Sequence, residues 1–186
     1  KQPNSRWYSG SGIYRDVNLW TGKGVYISHD KLRITTLSVN DDMAVLEVCA
    51  QLKNIIGHGL EAECLIEIKK DGQKAASNTQ RVVFRSEQMQ TVRVQIPIEQ
   101  PKKWSPAQPA LYECHITTRF DDEICDEAVS NFGIRVLALD PVHGLQINGE
   151  TVKLRGTCIH HDNGVIGAET FKEAEWYRCK RLKEAG

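Results

Sequence analysis

The chain has 186 residues, with 24 Lys plus Arg balanced by 24 Asp plus Glu, and six cysteines. That length holds one large domain or one medium domain with flanking pieces, since domains usually run about 100–150 residues. Balanced charge without a long run of one sign excludes the basic footprint of a nucleic-acid binder, and no stretch approaches the roughly 18–20 apolar residues of a membrane span, so neither nucleic acid nor membrane insertion is expected.

Residues 1–30 carry Trp7, Tyr8, Tyr14, Trp20 and Tyr26 among Gly10, Gly12, Gly22 and Gly24. A stretch of that length cannot build a core of its own, and it reads as the tail of a preceding β domain. From Leu32 to about Leu139 apolar and polar residues alternate, with turn residues between the runs, which is the all-β pattern. The expected strands are Leu32 to Val39, Ala44 to Lys53, Leu60 to Lys69, Ala75 to Val83, Met89 to Ile98, Leu111 to Phe120 and Ile124 to Leu137. About seven strands of this size suit an immunoglobulin-like antiparallel β-sandwich. Asp41-Asp42, Lys70-Asp71-Gly72-Gln73 and Asp121-Asp122-Glu123 supply the turns, and Pro97, Pro101, Pro106 and Pro109 gather in one long connection.

The cysteines carry no CxxC pair, which argues against a zinc ribbon or a thioredoxin site. Tyr112 lies two residues before Cys114, the spacing of the corner tyrosine in antibody-type domains, with Cys49 as the partner to test. Strand phase opposes that bond: Ala44, Leu46, Val48, Ala50 and Leu52 point inward, so Cys49 points out, whereas Cys114 shares the inward phase of Tyr112, Ile116 and Phe120. Cys64 is the more plausible neighbour of Cys114. Sparse cysteines of this kind pack as reduced thiols, with a Cys64–Cys114 disulfide as the alternative.

Beyond the sandwich, Leu145 to Leu154 reads as a hairpin turning at Asn148-Gly149. A polar loop runs from Gly156 to Ala168. Thr170-Phe171-Lys172-Glu173 then has capping-box form, with a helix from about Phe171 whose apolar face holds Ala174, Tyr177, Leu182 and Ala185. The change of period from 2 to 3.6 marks a domain boundary near Asp140 to Gly144, where a new α/β element begins.

The densest chemistry lies in Cys158-Ile159-His160-His161-Asp162-Asn163. Thiolate, imidazole and carboxylate could ligate a metal, but adjacent ligands on a loop need further partners. A Cys–His nucleophile needs both side chains in hydrogen-bond reach and a third group to orient the base. A solvated polar loop is the plain alternative. Glu61, Glu63 and Glu67 are the outward face of a strand, as alternation requires.

Three segments resemble family 2 glycoside hydrolases, the group of β-galactosidases, β-glucuronidases and β-mannosidases. Gly10-Ser11-Gly12-Ile13-Tyr14-Arg15-Asp16-Val17 resembles the end of their jelly-roll sugar-binding domain. Trp104-Ser105-Pro106 through Tyr112, with Phe132-Gly133-Ile134-Arg135, resembles the last strands of their immunoglobulin-like domain. Asn148-Gly149 and Leu154-Arg155-Gly156 through Asp162 resemble the entry to their (β/α)8 barrel. The resemblance implies three parts: residues 1–30 end a jelly roll, 31–139 form the sandwich, and 140–186 begin the barrel with a short hairpin and a helix. It also implies that His160 and Asp162 face the sugar pocket of the intact enzyme, where Asp162 accepts from sugar hydroxyls and His160 contacts the sugar as charge develops. Arg155-Gly156 is read as structural. His-His-Asp followed by Asn163-Gly164 is nearest the β-galactosidase-like members, since glucuronidases typically carry Glu at the place of His161.

Retaining enzymes of this kind need two carboxyl groups about 5–5.5 Å apart. Both are glutamates expected downstream of Gly186, so no catalytic residue and no metal ligand is expected here, although some family members use a divalent cation. The expected partners are a β-linked carbohydrate, other domains of the same chain and further copies in a homo-oligomer. The expected location is the periplasm or exterior of a bacterium, with the cytoplasm as the alternative. The competing expectation is a sugar- or protein-binding sandwich; it lacks stacking platforms, since Trp104 and Tyr112 sit in the strand-entry motif and Phe84, Phe120 and Phe132 fit core positions.

Overall fold

A computed structural model describes residues 12–13, 17–86, 88–160, 163, 165, 167 and 169–186. The chain divides into two compact units, one spanning Thr21–Lys153 and the other combining Leu154–Gly186 with the residues up to Trp20.

The first unit is an antiparallel β-sandwich. Its strands are β1 (Val25–Ile27), β2 (Arg33–Val39), β3 (Met43–Asn54), β4 (Leu60–Lys70), β5 (Gln73–Phe84), β6 (Met89–Glu99), β7 (Tyr112–Phe120) and β8 (Glu123–Phe132). In one layer β3 pairs with β6 along one edge, and with β2 and then β1 along the other. The second layer has the order β5-β4-β7-β8. Alternation makes the core: Ala44, Leu46, Val48, Ala50 and Leu52 of β3 and Val92, Val94, Ile96 and Ile98 of β6 belong to the same buried cluster as Cys64, Ile66 and Ile68 of β4 and Cys114 and Ile116 of β7. Each large aliphatic side chain buried in this way contributes roughly 1.5–3 kcal/mol.

The turns obey their chemistry. Asp71 and Gly72 sit at φ 52 and 78 between β4 and β5, the left-handed pair that matches the twist of a tight hairpin.

Three departures from the expected elements have local causes. Val25–Ile27, assigned by sequence to the preceding tail, is a strand of the sandwich. It pairs with Leu52–Asn54, and the second layer grips it through side chains: Thr118 Oγ donates to the Val25 carbonyl at 2.7 Å, and Asp126 Oδ2 accepts from the Ile27 N–H at 2.8 Å. Three residues among glycines carry too little alternation to announce themselves. The last sandwich strand, expected to run to Leu137, stops at Phe132. There Gly133 presses against Trp104, and the Ile134 carbonyl accepts from the Trp104 N–H at 2.9 Å. Leu137–Asp140 (β9) instead pairs with Gly144–Ile147 (β10), which turns at Asn148-Gly149 into Glu150–Thr151 (β11), making a separate three-stranded sheet.

The third departure is in the second unit, at helix α1 (Lys172–Ala185). The expected capping box does not form, because Phe171 takes the N-cap place and provides no side-chain cap. Thr170 is then one position too early, and Glu173 one too early for the reciprocal bond. Glu173 and Glu175 still complement the positive end of the helix dipole. Tyr177 and Leu182, on the expected apolar face, are exposed at 58% and 46%. No helix among the described residues is long and apolar enough to cross a membrane.

Candidate functional site

The chain leaves β11 at Thr151 and runs without regular structure through Val152 to His160. Cys158 is an exposed free thiol and His160 is exposed. His161 and Asp162, the second expected sugar-binding residue, lie outside the described residues. Asn163 ties the described residues of the loop together. Its N–H donates to the Gly167 carbonyl at 2.9 Å and its Nδ2 to the Glu169 carbonyl at 2.5 Å, while its Oδ1 accepts from the Arg178 guanidinium on α1. Arg178 also reaches the Glu175 carboxylate at 3.3 Å, so one asparagine joins the loop to the helix. Among the described residues, no group of three His, Cys, Asp or Glu side chains could hold a metal ion.

The sandwich puts its own motif residues to structural use. Tyr112 is buried, stacks on Phe132 at 5.8 Å between ring centroids, and its hydroxyl accepts from the Lys102 N–H at 2.9 Å. That is the tyrosine corner suggested by the spacing to Cys114. The Arg135 guanidinium lies 4.3 Å from the Trp104 ring centroid, a cation–π stack that covers an indole otherwise suited to a sugar face. All six aromatic side chains between Thr21 and Lys153 are buried or half-buried. Among the described residues of this unit, no aromatic ring is fully exposed as a stacking platform.

Its acidic residues are spread among bases. Glu63 faces Arg81 on one side and Arg119 on the other in strand register, and Glu61 approaches Arg81 at 3.6 Å. With Asp121 and Asp122 they line a shallow depression at one end of the second layer.

The six cysteines are free. Cys64 and Cys114 point into the core, as their phase requires, but Cys64 faces Thr118 and Cys114 faces Ile68. Four residues of offset at about 3.3 Å each separate them by roughly 13 Å along the strands, beyond the roughly 7 Å Cα separation that a disulfide tolerates. Burial pushes both thiols up to about 12, helped by the negative charge of Glu63 at Cys64 and by Cys64 itself at Cys114. Cys49 is half-buried on the outward phase.

Sequence reading missed the buried polar groups that fix the loops. Asn54, fully buried, donates from Nδ2 to the carbonyls of His58 at 2.9 Å and Arg85 at 3.0 Å, and its Oδ1 accepts from the Ile56 N–H at 2.8 Å. Thr118, also buried, and the half-buried Asp126 hold β1 through Val25 and Ile27. The available signal was phase: Asn54 continues the inward row of Leu52, and Thr118 that of Ile116, and a polar residue in an inward row needs internal partners.

The family model for glycosyl hydrolases family 2 matches residues 25–135. A β-galactosidase of Bacteroides ovatus is 32% identical over 197 aligned residues, which cover 100% of this chain and 22% of the relative. A putative β-glucuronidase of Formosa agariphila is 28% identical, covering 100% of this chain and 17% of its own length. Among solved structures, a glycosyl hydrolase family 2 member from Bacteroides cellulosilyticus matches with a TM-score of 0.87 at 32% identity, over 97% of this chain and 25% of that one. A β-glycosidase from Bacteroides vulgatus matches with a TM-score of 0.80 at 28% identity, over 96% and 22%. The chain thus spans only 17% to 22% of the length of these two sequence relatives.

Proposed function

Because the chain belongs to glycosyl hydrolase family 2, we propose that it is a non-catalytic segment of an enzyme that removes terminal β-linked sugars, β-galactosides above all, with retention of configuration. In this reading the residues before Val25 close a sugar-binding jelly roll, the sandwich, with Val25–Ile27 as its first strand, is a spacer, and residues 140–186 open the catalytic barrel, whose two glutamates lie outside this chain. The observation that carries it is similarity over the whole chain to β-glycosidases several times longer. The carboxylates of Glu61 and Glu63 in the sandwich are interleaved with arginines in strand register.

His160 and Asp162 are the residues of this chain assigned to the sugar: Asp162 accepts from hydroxyl groups, and His160 contacts the ring as positive charge develops. No residue of the chain is assigned to a metal. His161, where β-glucuronidases of the family carry Glu, favours galactose over glucuronic acid. We place the intact enzyme in the periplasm or exterior of a bacterium, where cell fractionation would find it.

The test uses chromogenic sugars. The purified 186-residue chain should not turn over a β-galactoside above a vector-only control, whereas the intact enzyme should, and in preference to a β-glucuronide. Asp162→Asn in the intact enzyme should lower kcat/KM by about 10–100-fold, the worth of a charge-assisted hydrogen bond. Turnover by the chain alone would overturn its non-catalytic assignment, and a preference for glucuronide would overturn the sugar.

A further inference from the structure

Where the sandwich passes the chain to the sheet β9–β11, four segments distant in sequence meet. Asn148 and Gly149 occupy φ 54 and 85, the left-handed pair of a two-residue hairpin. Glycine also fits the first of these places, so the turn tolerates the loss of the amide. The amide is used at both ends: Oδ1 accepts from the Val136 N–H at 3.1 Å and Nδ2 donates to the Trp104 carbonyl at 2.9 Å. The backbone N–H of Asn148 adds a bond to the Val136 carbonyl at 2.9 Å.

Trp104 is itself clamped. Its N–H bonds the Ile134 carbonyl, Arg135 covers its ring, and a Cβ added to Gly133 would lie 2.8 Å from the indole. The Arg135 N–H then donates to Thr36 Oγ in β2 at 3.3 Å. One network therefore joins β2, the long connection before β7, the linker after β8, and the β10–β11 turn.

We propose that Asn148 is a positioning residue: its amide fixes the sheet β9–β11 to the sandwich, so that the chain runs on toward Cys158 and His160 from a rigid base rather than from a loose hairpin. Its catalytic consequence rests on the glycosidase reading above, but the tie itself does not.

Asn148→Gly separates the two roles, because it keeps the left-handed turn and deletes both amide bonds. Hydrogen exchange of the 186-residue chain should show β9 and β10 amides exchanging at least about tenfold faster, with β3 and β4 unchanged. Gly133→Ala, which must push the indole aside, should give the same pattern and guards against an idiosyncratic fault of the first variant. In the intact enzyme Asn148→Gly should lower kcat about tenfold at constant KM, the signature of lost alignment in the transition state. Unchanged protection in β9 and β10, a loss spread evenly over all strands, or a raised KM at constant kcat would each overturn the proposal. The expected exchange pattern in a protein whose intact wild type cleaves no β-glycoside would uphold the tie and sink the glycosidase reading.

Discussion

Asn54→Ala tests whether the sandwich depends on its one fully buried amide. The substitution deletes three side-chain hydrogen bonds, to His58, Arg85 and Ile56. At about 1 kcal/mol net per bond the loss is roughly 3 kcal/mol, and rehydration of the His58 and Arg85 carbonyls, which belong to exposed residues, brings the lower bound to about 1.5 kcal/mol. A domain of this size loses roughly 4 °C of melting midpoint per kcal/mol, so the midpoint should fall by about 6–12 °C. Urea unfolding should show a lower midpoint at unchanged slope, since the surface exposed on unfolding is the same. Asn54→Asp sharpens the test. A carboxylate there would face two carbonyls in a dry site, so burial raises its folded pKa above the unfolded value of about 3.9. The sign is then fixed: the variant is most stable below that value and loses stability as pH rises through the folded pKa, whereas Asn54→Ala has no such added dependence. A loss under about 0.5 kcal/mol for Asn54→Ala, or an Asp variant as stable at pH 7 as at pH 4, would refute the reasoning.

Single contacts set the remaining expected outcomes. Thr118→Val removes the 2.7 Å bond to the Val25 carbonyl at nearly constant volume; it should cost about 1–2 kcal/mol in chemical denaturation and raise hydrogen exchange in β1 first. Thiol labelling at pH 8 with mass-spectrometric detection should modify Cys158 and Cys179 long before Cys64 and Cys114, whose thiols burial holds near 12; equal rates would contradict the burial. The Lys103 ammonium, 2.7 Å from Asp41, holds that carboxyl below its ordinary range. The pair favours the folded chain above the unfolded aspartate pKa, and that contribution fades as pH falls through the folded one. Lys103→Met should return the Asp41 titration seen by carbon NMR to the ordinary value.

Strand existence was readable because one face of each strand is buried: the period-2 rows of β3, β4, β6 and β7 leave little freedom of register. The failures occur where that constraint lapses. β1 is too short to show a row, and the end of β8 is set by the Trp104 indole against Gly133, a contact between residues far apart in sequence. Cys125 shows the same limit. The register of β7 with β8 shifts between Thr118 and Arg119, leaving Cys125 without a partner opposite; it turns inward and is buried beside Gly24. Alternation from an inward Ile124 would turn Cys125 outward, whereas Ile124 is exposed and Cys125 buried, because a bulge breaks the phase and alternation alone does not reveal it. The helical period locates α1, but the capping signal at Thr170 lies one residue before the true N-cap, Phe171, within the usual reach of such signals. Of the candidate site, His160 and Asp162 came from resemblance alone, because a His-His-Asp run has no periodicity and its chemistry depends on partners elsewhere in a fold.

The division of labour within Thr21–Lys153 also bears on why a spacer role is proposed for the sandwich. Recognition of a sugar needs aromatic faces left open and polar groups left unmatched until ligand arrives. Here the rings are turned inward or, at Trp104, covered by a guanidinium. The buried polar side chains Asn54 and Thr118 are bonded to backbone within the unit. This saturation holds the loops around Asn54 and the strand β1 in place, since both are fastened by side chains already committed to them. Stiffness is what a spacer contributes: the orientation of whatever it joins then depends on few soft torsions, and the network around Trp104 and Asn148 extends that stiffness to the sheet β9–β11, past the last strand of the sandwich proper.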